Sequence, residues 1–421
     1  LSPALTALQG LDLTLEIGRP QPARWQDFDL IVASPGVPPE LPWLQAAVAQ
    51  GIPLVGELEI AGHYLHLPMV AISGTNGKTT TTTLVAELLR ASGRRPLVGG
   101  NIGTPLVDLV AKQDQADCLV LEISSFQLDT APSFKPHAAA LLNITADHLD
   151  RYPSFQAYAD SKALLFRNQS SQDLAVLNAD DPLVAALASK LSSRVYLYSS
   201  RQPLTMGAWR TAHSLQVRLA PAGDLVIDFP LADIALVGEH NLENCLAALL
   251  VALEMGATPA GCAQVLASFR GLPHRLEWVA NLGGVDFYDD SKGTNVGAVV
   301  RSLEHFDRPV VLIAGGRDKG GDYSPLFPRL RRHVKQVILL GEARETMAAA
   351  LAGQAVIQTA TDMVQAVDLA FAAAAPGDVV LLSPACSSFD MFRDYAERGK
   401  VFQQAVRSLE HGRQNSQRRI A

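Results

Sequence analysis

Short apolar runs bounded by turn residues alternate with amphipathic stretches along most of the chain. Such runs are typical of buried strands, and the stretches between them are typical of helices. Strands that alternate with helices favour parallel sheets, so the pattern predicts the α/β class. The predicted strands are residues 29–33, 53–55, 69–73, 118–123, 138–144, 175–178, 195–198, 285–288, 310–314, 336–340 and 378–382, and the predicted helices are 42–50, 79–92, 155–166, 241–255, 343–351 and 362–374.

One segment departs from this pattern. Residues 215–227 alternate between apolar and polar side chains, which predicts an antiparallel hairpin at the edge of a sheet. The helix that follows is predicted to begin with Asn241 as its N-cap, because asparagine oxygen accepts well from the first free amides of a helix.

The length of 421 residues corresponds to two or three domains at about 150 residues each. We predict an N-terminal Rossmann-like domain over residues 1–67 and a central P-loop ATPase-like domain with a parallel sheet over 68–270. A C-terminal Rossmann-like domain is predicted over 271–421.

Composition narrows the function classes. Hydrophobic residues make up 48% of the chain and charged residues 18%, which is typical of a folded globular protein. The net charge of −7 argues against a broad nucleic-acid surface, which would require clustered cations. Four cysteines without a C-x-x-C pair favour a reducing compartment, so we expect a cytoplasmic protein. No apolar run reaches the roughly 20 residues of a membrane-spanning helix.

The strongest motif lies between a predicted strand and a predicted helix. Its glycines allow backbone amides to converge on phosphate oxygens, its lysine can reach the terminal phosphates, and the next hydroxyl can bind Mg²⁺. The alternative is a simple glycine turn, since Ile72 occupies the place of the first P-loop glycine. The predicted nucleotide-binding residues are Gly74, Thr75, Asn76, Gly77, Lys78, Thr79 and Thr80.

Acidic and imidazole groups follow two further strands. Glu122 ends one predicted strand, at the edge where α/β sheets bind ligands, and could bind Mg²⁺. His148 follows another, although chemistry alone favours Asp147 and Asp150 as metal ligands there. Lys162 lies among apolar positions of a helix, and the residues alone predict a surface lysine whose stem packs on apolar neighbours.

Two loops in the last segment combine glycine with charge. Residues 289–295 and 315–321 follow successive predicted strands, so both should open at the same edge of one sheet. Such loops are often plain turns, but their cations could together bind a small acidic substrate.

Taken in order, these motifs resemble those of the Mur ligase family, which adds amino acids to the peptidoglycan precursor with ATP. The resemblance extends from about residue 29 to residue 402, and within the family it is greatest to the D-glutamate-adding member. The motifs that carry it are the segments 74–80, 101–103, 121–128, 147–152, 238–241 with Asn244, 273–275, 290–295 and 383–390.

The resemblance implies a reaction and its cofactors. A substrate carboxylate attacks the γ-phosphate of ATP, and the amine of D-glutamate then attacks the acyl phosphate. Two Mg²⁺ ions are implied, bound by Thr79, Glu122, His148 and Lys162, with Lys162 converted by CO₂ to an anionic carbamate. The implied partners are UDP-N-acetylmuramoyl-L-alanine, D-glutamate and ATP, and a monomer is expected.

The resemblance also assigns residues. Catalytic roles are implied for Lys78, Asn101, His148 and Lys162. Further ATP contacts are implied for Asn241, Asn244, Arg275 and Asp290, and substrate contacts for Ser34, Pro35, Gly36, Asn101, Ser124, Lys292, Thr294, Lys319, Ser388 and Phe389.

The family pattern opens with a strand and a glycine-rich turn, and residues 1–10 supply neither. We therefore expect a first domain that is short at its front, with weakened UDP-substrate binding. Three alternatives remain open at this point: folylpolyglutamate synthase, a P-loop kinase or motor ATPase, and a nucleotide-binding scaffold without ligase activity.

Overall fold

The computed structural model describes residues 8, 10–147, 151–219, 226–236, 238–318, 320 and 322–420, with side chains to residue 409. Within these residues, helices alternate with strands, and the strands form sheets of two, nine and six members. Parallel pairs dominate all three sheets, which confirms the predicted α/β class. The predicted domain boundaries stay a prediction.

The first sheet is small. Strands β1 (Ile31–Ala33) and β2 (Leu54–Gly56) pair in parallel, and helix α1 (Pro42–Ala49) connects them. Helix α2 (Glu57–Tyr64) follows β2 directly. The core of this unit is made by the buried side chains of Trp25, Ile31, Leu44, Ala47 and Ile52.

The nine-stranded sheet forms the centre of the molecule. Its spatial order is β11-β10-β9-β8-β7-β6-β3-β5-β4, and every pair from β4 to β9 is parallel. The pairs β9–β10 and β10–β11 are antiparallel, which confirms the hairpin at the sheet edge. The strands are β3 (Met69–Ser73), β4 (Pro96–Gly100), β5 (Cys118–Glu122), β6 (Ala138–Leu141), β7 (Leu174–Asn178), β8 (Arg194–Ser199), β9 (Gly207–Arg210), β10 (Ser214–Arg218) and β11 (Ile227–Pro230).

The central strands of this sheet are buried on both sides, because helices cover both of its faces. On one face α3 (Lys78–Ala91) and α8 (Glu239–Glu254) pack together in a single apolar cluster. Helix α9 (Pro259–Ser268) contributes to the same cluster. The opposite face is covered by α2 and by α4 (Leu106–Val110), α5 (Ser125–Asp129), α6 (Phe155–Ala163) and α7 (Pro182–Ala185).

The predicted cap of α8 is wrong by three residues. The helix begins at Glu239, and its N-cap is Gly238 with a φ of 103°. Asn241 therefore lies inside the first turn, where its amide donates to the Gly238 carbonyl. The positive φ favours glycine at the cap, and the asparagine side chain is left for other contacts.

The six-stranded sheet has the order β12-β13-β17-β14-β15-β16, and only the β12–β13 pair among them is antiparallel. Because β13 and β14 both pair in parallel with β17, the loops after them open at one edge, as the sequence predicts. The elements are β12 (Glu277–Leu282), β13 (Val285–Asp289), α10 (Val296–Glu304), β14 (Val310–Gly315), α11 (Phe327–His333), β15 (Val334–Leu340), α12 (Arg344–Ala350), β16 (Val356–Thr359), α13 (Met363–Ala373), β17 (Val379–Leu382) and α14 (Tyr395–Ile420).

Two predicted properties of the whole chain can be compared with this fold. In the part of the chain that the structure describes, no helix is both long enough and apolar enough to cross a membrane. All four cysteines are buried free thiols.

Gly315, at the end of β14, offers a test of the last sheet. Its φ is 116°, and a Cβ there would overlap the Leu340 carbonyl oxygen of the neighbouring strand. We expect Gly315→Ala to lower the free energy of unfolding by about 1–3 kcal/mol from backbone strain alone, and the overlap with the Leu340 carbonyl oxygen should add to this loss. Gly62→Ala, in the interior of α2 with open space around it, should be neutral or stabilising. Urea unfolding followed by circular dichroism measures both, and equal midpoints for the two variants would contradict the packing described.

Candidate active site

The loop between β3 and α3 presents backbone donors at a helix N-terminus. It passes from Gly74 to Gly77, which caps α3 with a φ of 85° and provides no side-chain hydrogen bond to the helix. A side chain at Gly77 would overlap the amide oxygen of Asn244. The first amides of α3 thus point out of the helix without a side-chain cap, an arrangement suited to phosphate oxygens.

Side chains from beyond β6 hold this loop in place. The Asn76 amide donates to Asn143 Oδ1 at 2.8 Å, and Asn143 Nδ2 donates back to the Asn76 carbonyl at 3.0 Å. The hydroxyl of Thr75 donates to the Thr145 carbonyl at 3.1 Å and lies 3.1 Å from the Tyr158 hydroxyl. The loop conformation is therefore fixed by tertiary hydrogen bonds rather than by its own sequence alone.

Two lysines meet at one carbonyl of the loop. Lys78 Nζ donates to the Gly74 and Thr75 carbonyls at 2.8 and 2.9 Å, and Lys162 Nζ donates to the Gly74 carbonyl at 3.0 Å. Lys162 is only 2% exposed, and its Nζ lies 4.7 Å from the centre of the Tyr158 ring. Burial, followed by the charge on Lys78, holds the pKa of Lys162 well below its usual range. The expectation of a surface lysine is wrong, because α6 turns this position inward against the loop.

A buried carboxylate lies at the end of the adjacent strand. Glu122 is 3% exposed, and its Oε1 accepts a hydrogen bond from Asn101 Nδ2 at 2.7 Å. The amide of Asn101 also donates to the Glu122 carbonyl at 2.7 Å. Among the residues described, Glu122 Oε2 is a buried oxygen without a hydrogen-bond partner. A buried carboxylate oxygen left in this state suits a hard cation.

Ser124 lies two residues beyond this carboxylate and caps α5. Its hydroxyl accepts from the Gln127 amide, and the Gln127 side chain accepts from the Ser124 amide, which forms a capping box. The sequence singles out Ser124 as a substrate contact; the structure shows that its hydroxyl also fixes the start of a helix beside Glu122.

The C-terminal sheet supplies groups from the other side of the loop. Arg275 Nη2 donates to Thr79 Oγ1 at 2.6 Å. Asp290 Oδ2 accepts from Ser302 and Ser383 at 2.6 and 2.7 Å, and burial raises the pKa of Asp290 to about 6 against these two hydrogen bonds. A cavity of about 90 Å³ brings these groups together, lined by Gly77, Thr80, Asn241, Asn244, Arg275, Asp290 and Lys292.

A larger cavity of about 570 Å³ adjoins this one and shares Thr80, Asn241, Arg275 and Leu276 with it. Its other walls are mainly apolar or aromatic, including Leu272, Trp278 and Tyr288. Cavities with apolar walls and a few polar groups are suited to a planar base.

The substrate-pocket residues predicted in the last segment fall in different places. Thr294 lines a cavity of about 410 Å³ together with Thr145 and Asp147. Lys292 lines the small cavity described above, and its Nζ lies 3.7 Å from the centre of the Tyr395 ring. Ser388 is buried, whereas Phe389 is 63% exposed.

Two other predictions concern residues at the edges of this region. Ser34, Pro35 and Gly36 form a turn after β1, closed by a hydrogen bond of 2.9 Å from the Val37 amide to the Ser34 carbonyl. His148 and Lys319, together with Asp150, lie outside the described residues. Asp147 Oδ2 accepts from Asn295 Nδ2 at 3.0 Å, which connects the two larger sheets.

Several residues of this site are absent from the sequence predictions. Asn143 and Tyr158 brace the phosphate loop from distant positions in the chain. Arg398 is 2% exposed and donates to the Ser291 and Cys386 carbonyls, which fixes the loop after β13 to the loop after β17. Asn143 could have been found from the sequence, because it is a polar residue that directly follows an apolar run, as Glu122 is. Arg398 could not, because a charged residue on a helix is usually exposed.

Comparisons with known proteins agree on one family. The model of the Mur ligase middle domain matches residues 72–252, and that of the Mur ligase glutamate ligase domain matches residues 274–386. The UDP-N-acetylmuramoylalanine--D-glutamate ligase of Geotalea uraniireducens (strain Rf4) is 48% identical over 412 residues, which cover 98% of this chain and 90% of the relative. The protein of the same name from Geobacter metallireducens is 46% identical over 412 residues, with the same coverage of both chains.

Solved structures show the same fold at low identity. The MurF ligase from Thermotoga maritima in complex with ADP has a TM-score of 0.61 at 18% identity, covering 90% of this chain and 95% of that one. The pseudomurein peptide ligase type C from Methanothermus fervidus has a TM-score of 0.63 at 16% identity, covering 91% and 88%.

The raised pKa of Asp290 predicts a pH-dependent stability. The carboxyl of Asp290 binds its proton more tightly in the folded protein than in the unfolded chain. The free energy of unfolding therefore falls as the pH rises from 3.8, the pKa in the unfolded chain, through about 6, the pKa in the folded protein. Asp290→Asn keeps an acceptor for both serine hydroxyls and removes the ionisation. We expect the stability of the variant relative to the wild type to rise by about 1.4 kcal/mol between pH 5 and pH 8, because this interval covers only the last pH unit below the folded pKa of about 6. Urea unfolding at the two pH values measures this gain.

Asp286→Asn is the matched control. Burial would raise the pKa of Asp286, but hydrogen bonds from Asn281 and Arg308 prevail and lower it. This side chain is ionised at both pH values, so its replacement should shift stability equally at each. A difference between Asp290→Asn and the wild type that is the same at pH 5 and pH 8 would contradict the buried-acid interpretation.

Proposed function

This chain belongs to the Mur ligase family, and we propose that it is an ATP-dependent ligase that joins D-glutamate to UDP-N-acetylmuramoyl-L-alanine. The observation that carries the proposal is the meeting of Lys78 and Lys162 at the Gly74 carbonyl, one strand away from the buried carboxylate of Glu122. The name of the 48%-identical relative supplies the substrates.

ATP fits between the two larger sheets. The uncapped amides of α3 and the ammonium of Lys78 would bind the phosphates, with Gly74, Thr75, Asn76, Gly77, Thr79 and Thr80 forming the loop around them. We infer that the base and ribose lie against Asn241, Asn244, Arg275 and Asp290, since these residues line the cavities that adjoin the loop.

The donors present fit Mg²⁺. Glu122 Oε2 is buried without a hydrogen-bond partner among the described residues, and Thr79 supplies a hydroxyl at the start of α3. We propose that Thr79, Glu122, His148 and a carbamate on Lys162 hold two ions. Bound Mg²⁺ would neutralise charge on the phosphates. Asn101 holds the Glu122 carboxylate in one orientation by its hydrogen bond to Oε1.

The environment of Lys162 supports its carbamylation. A neutral amine is the form that reacts with CO₂, and burial beside Lys78 favours that form. A carbamate would place an anion next to the ammonium of Lys78, where a protonated Lys162 would be repelled.

The chemistry then follows in two steps. A carboxylate oxygen of the muramoyl-alanine substrate attacks the γ-phosphorus, the bond to the bridging oxygen breaks, and ADP leaves. The neutral amine of D-glutamate attacks the resulting acyl carbon, and the tetrahedral intermediate expels phosphate while the nitrogen gives up one proton to solvent and keeps the other as the amide N–H. Lys78 stabilises the phosphoryl charge, and the loop positions the reactants.

The substrates would occupy the remaining predicted positions. We propose that Ser34, Pro35, Gly36, Asn101 and Ser124 contact the UDP-linked substrate, and that Lys292, Thr294, Lys319, Ser388 and Phe389 contact D-glutamate. We propose that the enzyme acts in the cytoplasm as a monomer. Its proposed domains are residues 1–67, 68–270 and 271–421.

Phosphate release tests the proposed function. The protein with ATP and Mg²⁺ should release phosphate only when both UDP-N-acetylmuramoyl-L-alanine and D-glutamate are present. Replacing D-glutamate by L-alanine or meso-diaminopimelate, or the UDP-linked acceptor by a folate, should abolish release. Phosphate release that needs no amino acid, or that requires the folate, would contradict the proposal.

Lys162→Ala tests the carbamate. The variant should lose most of its ligase activity and recover part of it with added formate or acetate, because a small carboxylate can supply the missing anionic oxygens. Lys135→Ala removes an exposed lysine that pairs with Asp173 and should leave activity unchanged. Undiminished activity in Lys162→Ala, or equal effects of formate on both variants, would contradict the carbamate.

A further inference from the structure

Arg151 connects two parts of the chain that the proposed function places on one substrate. Its Nη2 donates to the Val37 carbonyl at 3.0 Å, in the turn that follows β1. Its guanidinium carbon lies 4.2 Å from the centre of the Phe126 ring, on α5. The turn contains the predicted substrate residues Ser34 to Gly36, and α5 begins at the cap Ser124.

The carboxyl ends of the two-stranded sheet face this helix. Ala33 and Gly56 are paired at the ends of β1 and β2, and the Gly56 amide donates to the Thr130 carbonyl, just beyond α5, at 2.7 Å. Open α/β sheets bind ligands at the carboxyl ends of their strands. The end of β2 is thus attached to the C-terminal end of α5 by a backbone hydrogen bond, whereas the turn after β1 is attached to α5 through Arg151.

The position of the guanidinium is itself fixed. Phe126 stacks on Tyr152 with ring centres 5.7 Å apart, and the Tyr152 hydroxyl donates to Asp129 Oδ2 at 2.7 Å. The flat guanidinium can lie on the ring face and still donate in its own plane, a combination that a lysine ammonium does not reproduce. The ring pair therefore aims one donor of Arg151 at the turn.

We propose that Arg151 is a positioning residue for the UDP-linked substrate, holding the Ser34–Val37 turn at a fixed distance from Ser124. This inference rests on the proposed function. Without Arg151 the turn keeps its own hydrogen bond but loses its attachment to α5, so the substrate itself would have to order the two elements.

Steady-state kinetics of the full chain test the proposal. Arg151→Ala should raise the KM for UDP-N-acetylmuramoyl-L-alanine about tenfold, the effect of losing one hydrogen bond from a charged group. The KM for ATP and kcat at saturating substrate should stay near the wild-type values. Arg151→Lys should show a smaller rise, because it keeps a donor. A rise in all KM values together, or none, would overturn the proposal.

Two further variants separate positioning from general stability. Arg167 also donates through Nη2 to a backbone carbonyl, that of Ala131, and Arg167→Ala should leave the KM for the UDP substrate unchanged. Phe126→Leu keeps apolar volume but removes the ring face on which the guanidinium lies. Like Arg151→Ala, it should raise the KM for the UDP substrate. The double variant should be no worse than Arg151→Ala alone, and fully additive effects would contradict a shared role.

Hydrogen exchange gives a readout that needs no turnover. Peptides that contain residues 34–37 should exchange faster in Arg151→Ala, while those that contain Gly56 should not change. If the wild-type protein were inactive, the proposed function would be contradicted. The exchange rates would still test whether Arg151 attaches the turn of residues 34–37 to α5. Unchanged exchange at residues 34–37 would overturn this attachment.

Discussion

The site depends on the Gly74 carbonyl, which accepts hydrogen bonds from the side-chain nitrogens of Lys78 and Lys162 at once. Two cations this close would repel each other, and burial removes the water that would screen them, so the pKa of Lys162 is held well below its usual range. The remaining positive charge, on Lys78, is favourable only where anions compensate it. Phosphate groups at the α3 N-terminus, a metal-bound carboxylate at Glu122 and a carbamate on Lys162 are the compensating anions in the function we propose.

The rest of the fold keeps this loop rigid and accessible. Asn143 and Thr145 hold the loop from the next strand, and Tyr158 holds it from α6. The C-terminal sheet reaches the same place through Arg275 and Asn295. Since the carboxyl ends of parallel strands share one edge, the nine-stranded sheet directs β3, β5 and β6 toward a single site, and the loops of the six-stranded sheet close it from the other side.

Much of the fold follows from local pattern. Buried parallel strands read as continuous apolar runs, so β3, β5 and β17 could be placed within a residue of their observed bounds. Strands β4, β9, β12 and β16 could not, because they contain glycine or proline, or carry mainly exposed side chains at a sheet edge. The phosphate loop was recognisable from its residue types, since they perform their chemistry through the backbone.

The misses at the site have a different cause. The burial of Lys162 depends on how α6 packs against the loop, and no local pattern distinguishes that lysine from one on the surface. The N-cap of α8 depends on the backbone angle of Gly238, which left Asn241 free of the capping role. Arg151 and Arg398 act through contacts with residues more than 100 positions away, and such pairings appear only once the chain is folded.

An isotope-transfer measurement tests the central claim most directly. UDP-N-acetylmuramoyl-L-alanine labelled with ¹⁸O in both oxygens of its terminal carboxylate is converted with ATP and D-glutamate, and the released phosphate is analysed by mass spectrometry. If the carboxylate attacks the γ-phosphate, each phosphate carries one labelled oxygen and the other remains in the amide. Phosphate without ¹⁸O, formed together with the amide product, would contradict activation of the substrate as an acyl phosphate.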